Sequence, residues 1–125
     1  MYRFDAQTDY NYCKKWSKSE DFNGASHGDD LSYIFYIVYQ QLPAEDSKAF
    51  ELIKKMVAIY TSFAITGNPN TLEIENMEWK PESSLTLPLS CLNITADEIK
   101  QIPLPEYERL AVWDDIYNQE NIALY

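Results

Sequence analysis

The chain has 125 residues, enough for one domain of ordinary size, and 46% of them are hydrophobic, which suits a packed core and argues against wholesale disorder. A net charge of −10 and a pI near 4.4 oppose nucleic acid or an anionic membrane surface as a partner, because phosphates would be repelled. The acids are scattered rather than grouped, as on a solvated surface.

Taken in chain order, Tyr2-Arg3-Phe4 is short and strand-like, and a hydrophilic connector follows from Lys14 to Asn23. Asp29-Asp30 then precede LSYIFYIVYQQL, and two acids before an apolar run suit a helix N-terminus. The run itself is rich in aromatic and β-branched residues, and composition by itself favours a strand. From Ser47 to Ile65 the residues Ala49, Leu52, Ile53, Met56, Val57, Tyr60, Phe63 and Ala64 recur at three- and four-residue steps, which predicts one helix with an apolar core-facing stripe. Ser47 or Asp46 can cap its start, Gly67 can take the left-handed position at its end, and Pro69 prevents continuation.

Thr71 to Leu89 reads as a loop, and Leu89 to Ile94 as a short strand. Thr95-Ala96-Asp97-Glu98 has the form of a capping box, although the apolar run behind it is too brief to define a helix. EYERLAVWDDIY, entered from Pro105, places Tyr107, Leu110, Trp113 and Tyr117 at helical steps. The tail after Asn118 is expected to fray. The longest apolar run, Tyr33 to Tyr39, is too short to cross a bilayer.

Cys13 and Cys91 show no C-x-x-C spacing, so one bridge or two free thiols both remain open. One histidine and scattered acids offer no metal-ligand spacing, and nothing in the chain suggests a cofactor. Asn93-Ile94-Thr95 is a glycan acceptor triplet, set among apolar residues. The start of the chain has neither the basic nor the apolar region of a signal peptide.

Gly24-Ala25-Ser26-His27-Gly28 matches the G-x-S-x-G pattern of a nucleophile elbow. In such an elbow a buried strand stands directly before the first glycine. Here that place holds Lys18-Ser19-Glu20-Asp21-Phe22-Asn23, which cannot be a central strand. Neighbouring side chains such as Ser26 and His27 also diverge, whereas a catalytic serine and its base must meet. Ser26 is therefore a poor nucleophile. His27, the only histidine, is either a solvated loop residue or the chemically important member of the pentapeptide.

His27-Gly28-Asp29-Asp30-Leu31-Ser32-Tyr33-Ile34-Phe35 resembles the segment around the catalytic histidine of type-B carboxylesterases. Tyr2-Arg3-Phe4 is similar to the strand leading to that loop. MVAIYTSFAITGNPN, Met56 to Asn70, resembles a family helix ending W-x-x-F-A-x-x-G-x-P-N, with Tyr60 where tryptophan is usual. Trp79-Lys80-Pro81, Cys91 to Ile94 and Arg109 to Tyr117 continue the likeness in order, in a style closest to insect alpha-esterases.

The resemblance implies an α/β fold, the C-terminal portion of an α/β-hydrolase with an incomplete sheet, residues 1–125 forming one segment of a single domain. It implies a serine esterase acting on carboxylic esters, with His27 as triad histidine and the nucleophile and acid outside this chain. Asp30 falls where the family carries an acid close to the histidine, with helix capping as the alternative use. Ser26 and Asp29 would line the gorge. The start of LSYIFYIVY becomes a short helix. A segment of this kind would leave the strand Tyr2-Arg3-Phe4 without a sheet to pair with and the run after Leu31 without a cover, so the chain alone is expected to be poorly soluble or partner-dependent, and inactive. Adhesion proteins that keep the fold without the nucleophile, or an inactive truncated product, are the competing readings.

Overall fold

A computed structural model describes residues 1–81 and 89–119. Three strands, β1 (Tyr2–Phe4), β2 (Ser90–Ile94) and β3 (Ile99–Pro103), form one sheet in the order β1-β2-β3. β1 runs parallel to β2 with Tyr2 opposite Leu92 and Phe4 opposite Ile94, and β2 pairs antiparallel with β3. Tyr2-Arg3-Phe4 thus has a sheet partner within the chain, contrary to the expectation of an isolated strand. Its partner lies some ninety residues away, and single-sequence pattern does not reveal such pairings.

β3 is a strand that the sequence pattern did not suggest. Thr95 Oγ1 accepts hydrogen bonds from the N–H groups of Asp97 and Glu98, as in a helix cap, yet Thr95 N donates to Glu98 O and the chain reverses into β3. The same side-chain acceptor serves a tight turn, and the strand wins because Ile99 opposite Ile94 joins the core.

α2 (Lys48–Thr66) matches the predicted helix to within a residue or two. Ser47 caps it by accepting from Phe50 N, and Gly67 closes it at φ 74°, donating to Phe63 O. Ala49, Leu52, Met56 and Ile59 are its buried face. The outer part of the predicted stripe is not core: Val57, Tyr60 and Phe63 are exposed. Such a surface exceeds what these 125 residues can cover.

α1 (Tyr12–Trp16) runs into the start of the hydrophilic stretch expected as a connector from Lys14. Lys14 in it is buried, its Nζ donating to Gly24 O at 2.7 Å, which is how a charged residue enters an interior. The apolar run after Asp30 is not a strand. A 3-10 helix (Asp29–Tyr33) takes its start, and no regular element follows before α2. Among the described residues no strand pairs with the run, and its Phe35, Tyr36, Val38 and Tyr39 are exposed. Among the described residues, 71–81 hold no helix or strand, as expected of a loop, and the remainder of that loop, 82–88, lies outside them. α3 (Tyr107–Gln119) is the predicted last helix; it includes Gln119, the first residue of the tail expected to fray, and the rest of that tail, 120–125, is outside the described residues. Both cysteines are free thiols.

The core gathers α2, the inward residues of β2 and β3, and Ala6, Tyr10 and Tyr33. Tyr33 packs against Phe4 at 5.3 Å between ring centroids and against Tyr10 edge-on at 5.5 Å. Its hydroxyl accepts from Thr8 Oγ1 and donates to Asn11 Oδ1 at 2.7 Å, satisfying a buried polar group in both directions.

Replacing Met56, fully buried, with alanine should cost about 2–5 kcal/mol in urea unfolding, whereas Val57→Ala should change stability by about 0.5 kcal/mol or less. Equal costs would contradict the burial pattern of α2. Burial pushes the Tyr33 phenol from 10.0 up to about 12, only partly offset by the Thr8 hydrogen bond. The folded state then holds a proton that the unfolded chain releases. The resulting stabilisation, roughly 2–3 kcal/mol, is complete below pH 10 and lost as pH rises through about 12. Urea unfolding at about pH 9 and about pH 11.5 should show this loss, and Tyr33→Phe should show less of it.

Candidate functional site

Asp29 N donates to Ser26 O at 3.1 Å, so Ser26 to Asp29 form a β-turn with His27 and Gly28 at its centre. Gly28 has φ 84° and ψ 2°, the values of the third residue of a type II turn, where a side chain is strained. A Cβ there would also press on Cys13 Sγ at 3.2 Å. The glycine after the histidine is thus required twice, by backbone conformation and by the thiol beneath it. His27 stands at the turn's tip, exposed, and among the described residues its imidazole has no hydrogen-bond partner.

The last residue of the turn faces inward. Asp29 is fully buried, which corrects the expectation that it lines a gorge. Its Oδ2 accepts from Ser26 N at 2.7 Å and Asn11 Nδ2 at 3.1 Å, and its Oδ1 from Lys14 N at 2.9 Å. The donors lie on both sides: one on the turn itself, two at the start of α1. Lys14 also holds the loop's beginning through Nζ on Gly24 O. Asn11, the residue before α1, makes no cap bond with its side chain, because that amide is used here and on Ala6 O.

Asp30 points the other way, accepting from Tyr2 Oη at 2.5 Å, and Tyr60 Oη donates to Tyr2 Oη at 3.1 Å. Burial, and then the bond to Asp30, push the Tyr2 phenol far above its usual range, so Tyr2 remains the donor. Asp30 makes no helix-cap hydrogen bond among the described residues, and the bond it does accept is that from Tyr2. The hydrogen bond it accepts ties the turn's far end to β1. Ser26 is half-buried, and residues 17–25 before it contain no strand, so no elbow is formed there.

Asn93 lies buried on β2, with Oδ1 accepting from Arg3 Nη1 at 3.0 Å. Its amide is therefore not displayed at the folded surface as a glycan acceptor is. Clefts of about 860 Å³ between α1 and the start of α2, and about 700 Å³ beside Tyr60 and Trp79, are both lined without His27. Among the described residues no group of acids, cysteines and histidine could hold a metal, and no helix is long and apolar enough to cross a membrane.

The structure brings Ser26, His27 and Asp29 into one turn and sets Asp30 beside Tyr2. Asn11, Lys14 and Tyr2 are the supporting residues that pattern reasoning missed. Asn11 directly before a helical turn was the one available signal, and it points to a cap rather than to the contacts actually made.

Comparison with known proteins gives the same direction throughout. The sequence is 26% identical over 115 residues to Esterase B1 of Culex pipiens, covering 90% of this chain and 21% of that protein. It is 32% identical over 107 residues to a juvenile hormone esterase of Tribolium castaneum, covering 78% of this chain and 18% of the relative. The chain thus spans about a fifth of the length of these curated relatives. The fold matches part of a juvenile hormone esterase of Manduca sexta, solved with OTFP covalently attached, at a TM-score of 0.63 and 21% identity, over 94% of this chain and 23% of the other. That likeness shows an α/β-hydrolase fold with an incomplete three-stranded sheet. A family profile described as the carboxylesterase family matches residues 1–113, and the chain belongs to that family.

Proposed function

We propose that this chain is the C-terminal segment of a serine carboxylesterase domain and supplies its catalytic histidine, His27. The observation that carries the reading is the turn: a solvent-facing imidazole, fixed on both flanks, within the segment His27-Gly28-Asp29-Asp30 of a carboxylesterase-family chain. Family membership and the matches to insect esterases support the reaction class.

In a serine esterase the triad runs in chain order serine, acid, histidine. A nucleophile and an acid contributed from outside these residues would meet His27 at the turn's tip. One imidazole nitrogen takes the serine Oγ proton as Oγ attacks the ester carbonyl carbon. The imidazolium returns that proton to the leaving alkoxide as the acyl–serine bond is left in place. Water then loses a proton to His27 and attacks the acyl carbon, freeing a carboxylic acid and the serine. His27 contributes proton transfer in both halves and is restored at the end.

The 125-residue chain alone should hydrolyse an aryl ester no faster than buffer, and rapid hydrolysis abolished by Ser26→Ala would refute the assignment. The positive test is a graft. The chain replaces its matching stretch in Esterase B1 of Culex pipiens, and aryl-ester turnover is measured with and without His27→Ala. Loss of about 10²–10⁴-fold in kcat at an unchanged thermal midpoint is expected. Equal turnover would remove His27 from the chemistry and favour a non-catalytic parent.

A further inference from the structure

We propose that Asp29 is a positioning residue for His27. The catalytic part of this proposal rests on the reading of His27 as the base, whereas the positioning stands on geometry alone.

A histidine at the tip of a two-residue turn has little of its own to hold it. The turn's one backbone hydrogen bond, Asp29 N to Ser26 O, leaves the Ser26 N–H free to face elsewhere. Asp29 turns its side chain back and accepts that N–H at 2.7 Å, so the residue before His27 is held through both its backbone groups by the same partner. The other carboxylate oxygen reaches Lys14 N, and Asn11 Nδ2 completes the set. α1 therefore acts as an anvil: two donors from its first turn and its preceding residue fix the carboxylate, and the carboxylate fixes the turn. Gly28, beside Cys13 on the same helix, lets the turn lie close enough for this to happen.

Shape and charge both matter at this position. Asparagine would fill the same space, but one of its two ends is a donor, and that end would face either the Lys14 or the Ser26 N–H. Asp29→Asn thus removes the clamp without opening a cavity. A misplacement of His27 by about 1 Å is enough to reduce turnover by about 10²-fold, because proton transfer depends on the alignment of the imidazole with the serine.

The test has two arms. In the 125-residue chain, hydrogen–deuterium exchange compares the wild type with Asp29→Asn. Exchange at the Ser26 and Lys14 amides should accelerate about tenfold, with the α2 amides from Leu52 to Ile59 unchanged. Unchanged protection at Ser26 overturns the proposal. Should Asp29→Asn unfold the chain, seen as lost protection in α2, the wild type decides: its Ser26 amide, bonded to Asp29, must exchange about tenfold more slowly than the His27 amide, which has no hydrogen-bond partner among the described residues, or the proposal fails.

In the Esterase B1 graft, Asp29→Asn should lower kcat about 10²-fold with KM within about twofold, a split that loss of folded protein alone would not produce. Wild-type kcat in Asp29→Asn, where His27→Ala is inactive, overturns the positioning role and leaves the function intact. Full activity in His27→Ala instead overturns the function, and the exchange arm alone then decides the role of Asp29.

Discussion

The rest of the molecule depends on a buried polar junction built around the side-chain amide of Asn11. It donates to Ala6 O where the chain leaves β1 and to the Asp29 carboxylate under the histidine turn, and it accepts from the Tyr33 hydroxyl at the end of the 3-10 helix. Three segments from different parts of the first third of the chain are thereby fastened at one point. Groups buried this deeply are costly when unpaired, so each bond in the junction penalises every arrangement in which one segment moves alone. An apolar contact would tolerate sliding. A converging set of hydrogen bonds does not, and through Asp29 that set reaches the backbone of the residue before the histidine.

Around this junction the apolar packing is one-sided. Ala49, Leu52, Met56 and Ile59 close one face of α2 over the sheet and Tyr33, yet Phe63 and Ile65 on the same helix and most of the run from Phe35 to Leu42 stay in contact with solvent. The interior is stable in kind but small in extent, and the exposed apolar surface is what a part of a larger hydrolase would present to its remainder. The histidine turn belongs to the well-supported side of this division. Its backbone is held by buried groups, while the imidazole it presents is open.

The paired acids after the histidine illustrate how adjacent residues of one type divide their tasks. In a 3-10 helix successive side chains diverge, so Asp29 enters the interior and Asp30 turns toward β1. One fastens the turn to α1 and the other fastens it to the sheet through Tyr2. Tyr60, in a place where the resemblance led one to expect tryptophan, extends the second link with a hydroxyl. Read as letters the two aspartates are equivalent, and only their hydrogen-bond partners tell them apart.

Part of this was legible in the sequence. Three- and four-residue spacing, a serine before and a glycine after determine α2, because helix periodicity and end chemistry are local. The importance of His27 was legible only through the family resemblance, whereas the turn that carries it and the left-handed Gly28 came from the structure. Only the tertiary structure decided that Tyr2-Arg3-Phe4 pairs with Leu92-Asn93-Ile94, that Ile99 to Pro103 is a strand, and that the apolar run after Leu31 is not. Strand pairing depends on partners remote in sequence, and an apolar run takes its conformation from whichever neighbour it meets. The burial of Asp29 and Lys14 belongs to the same class. A charged residue is read as solvated unless its donors and acceptors are known, and those lie on segments brought together only by folding.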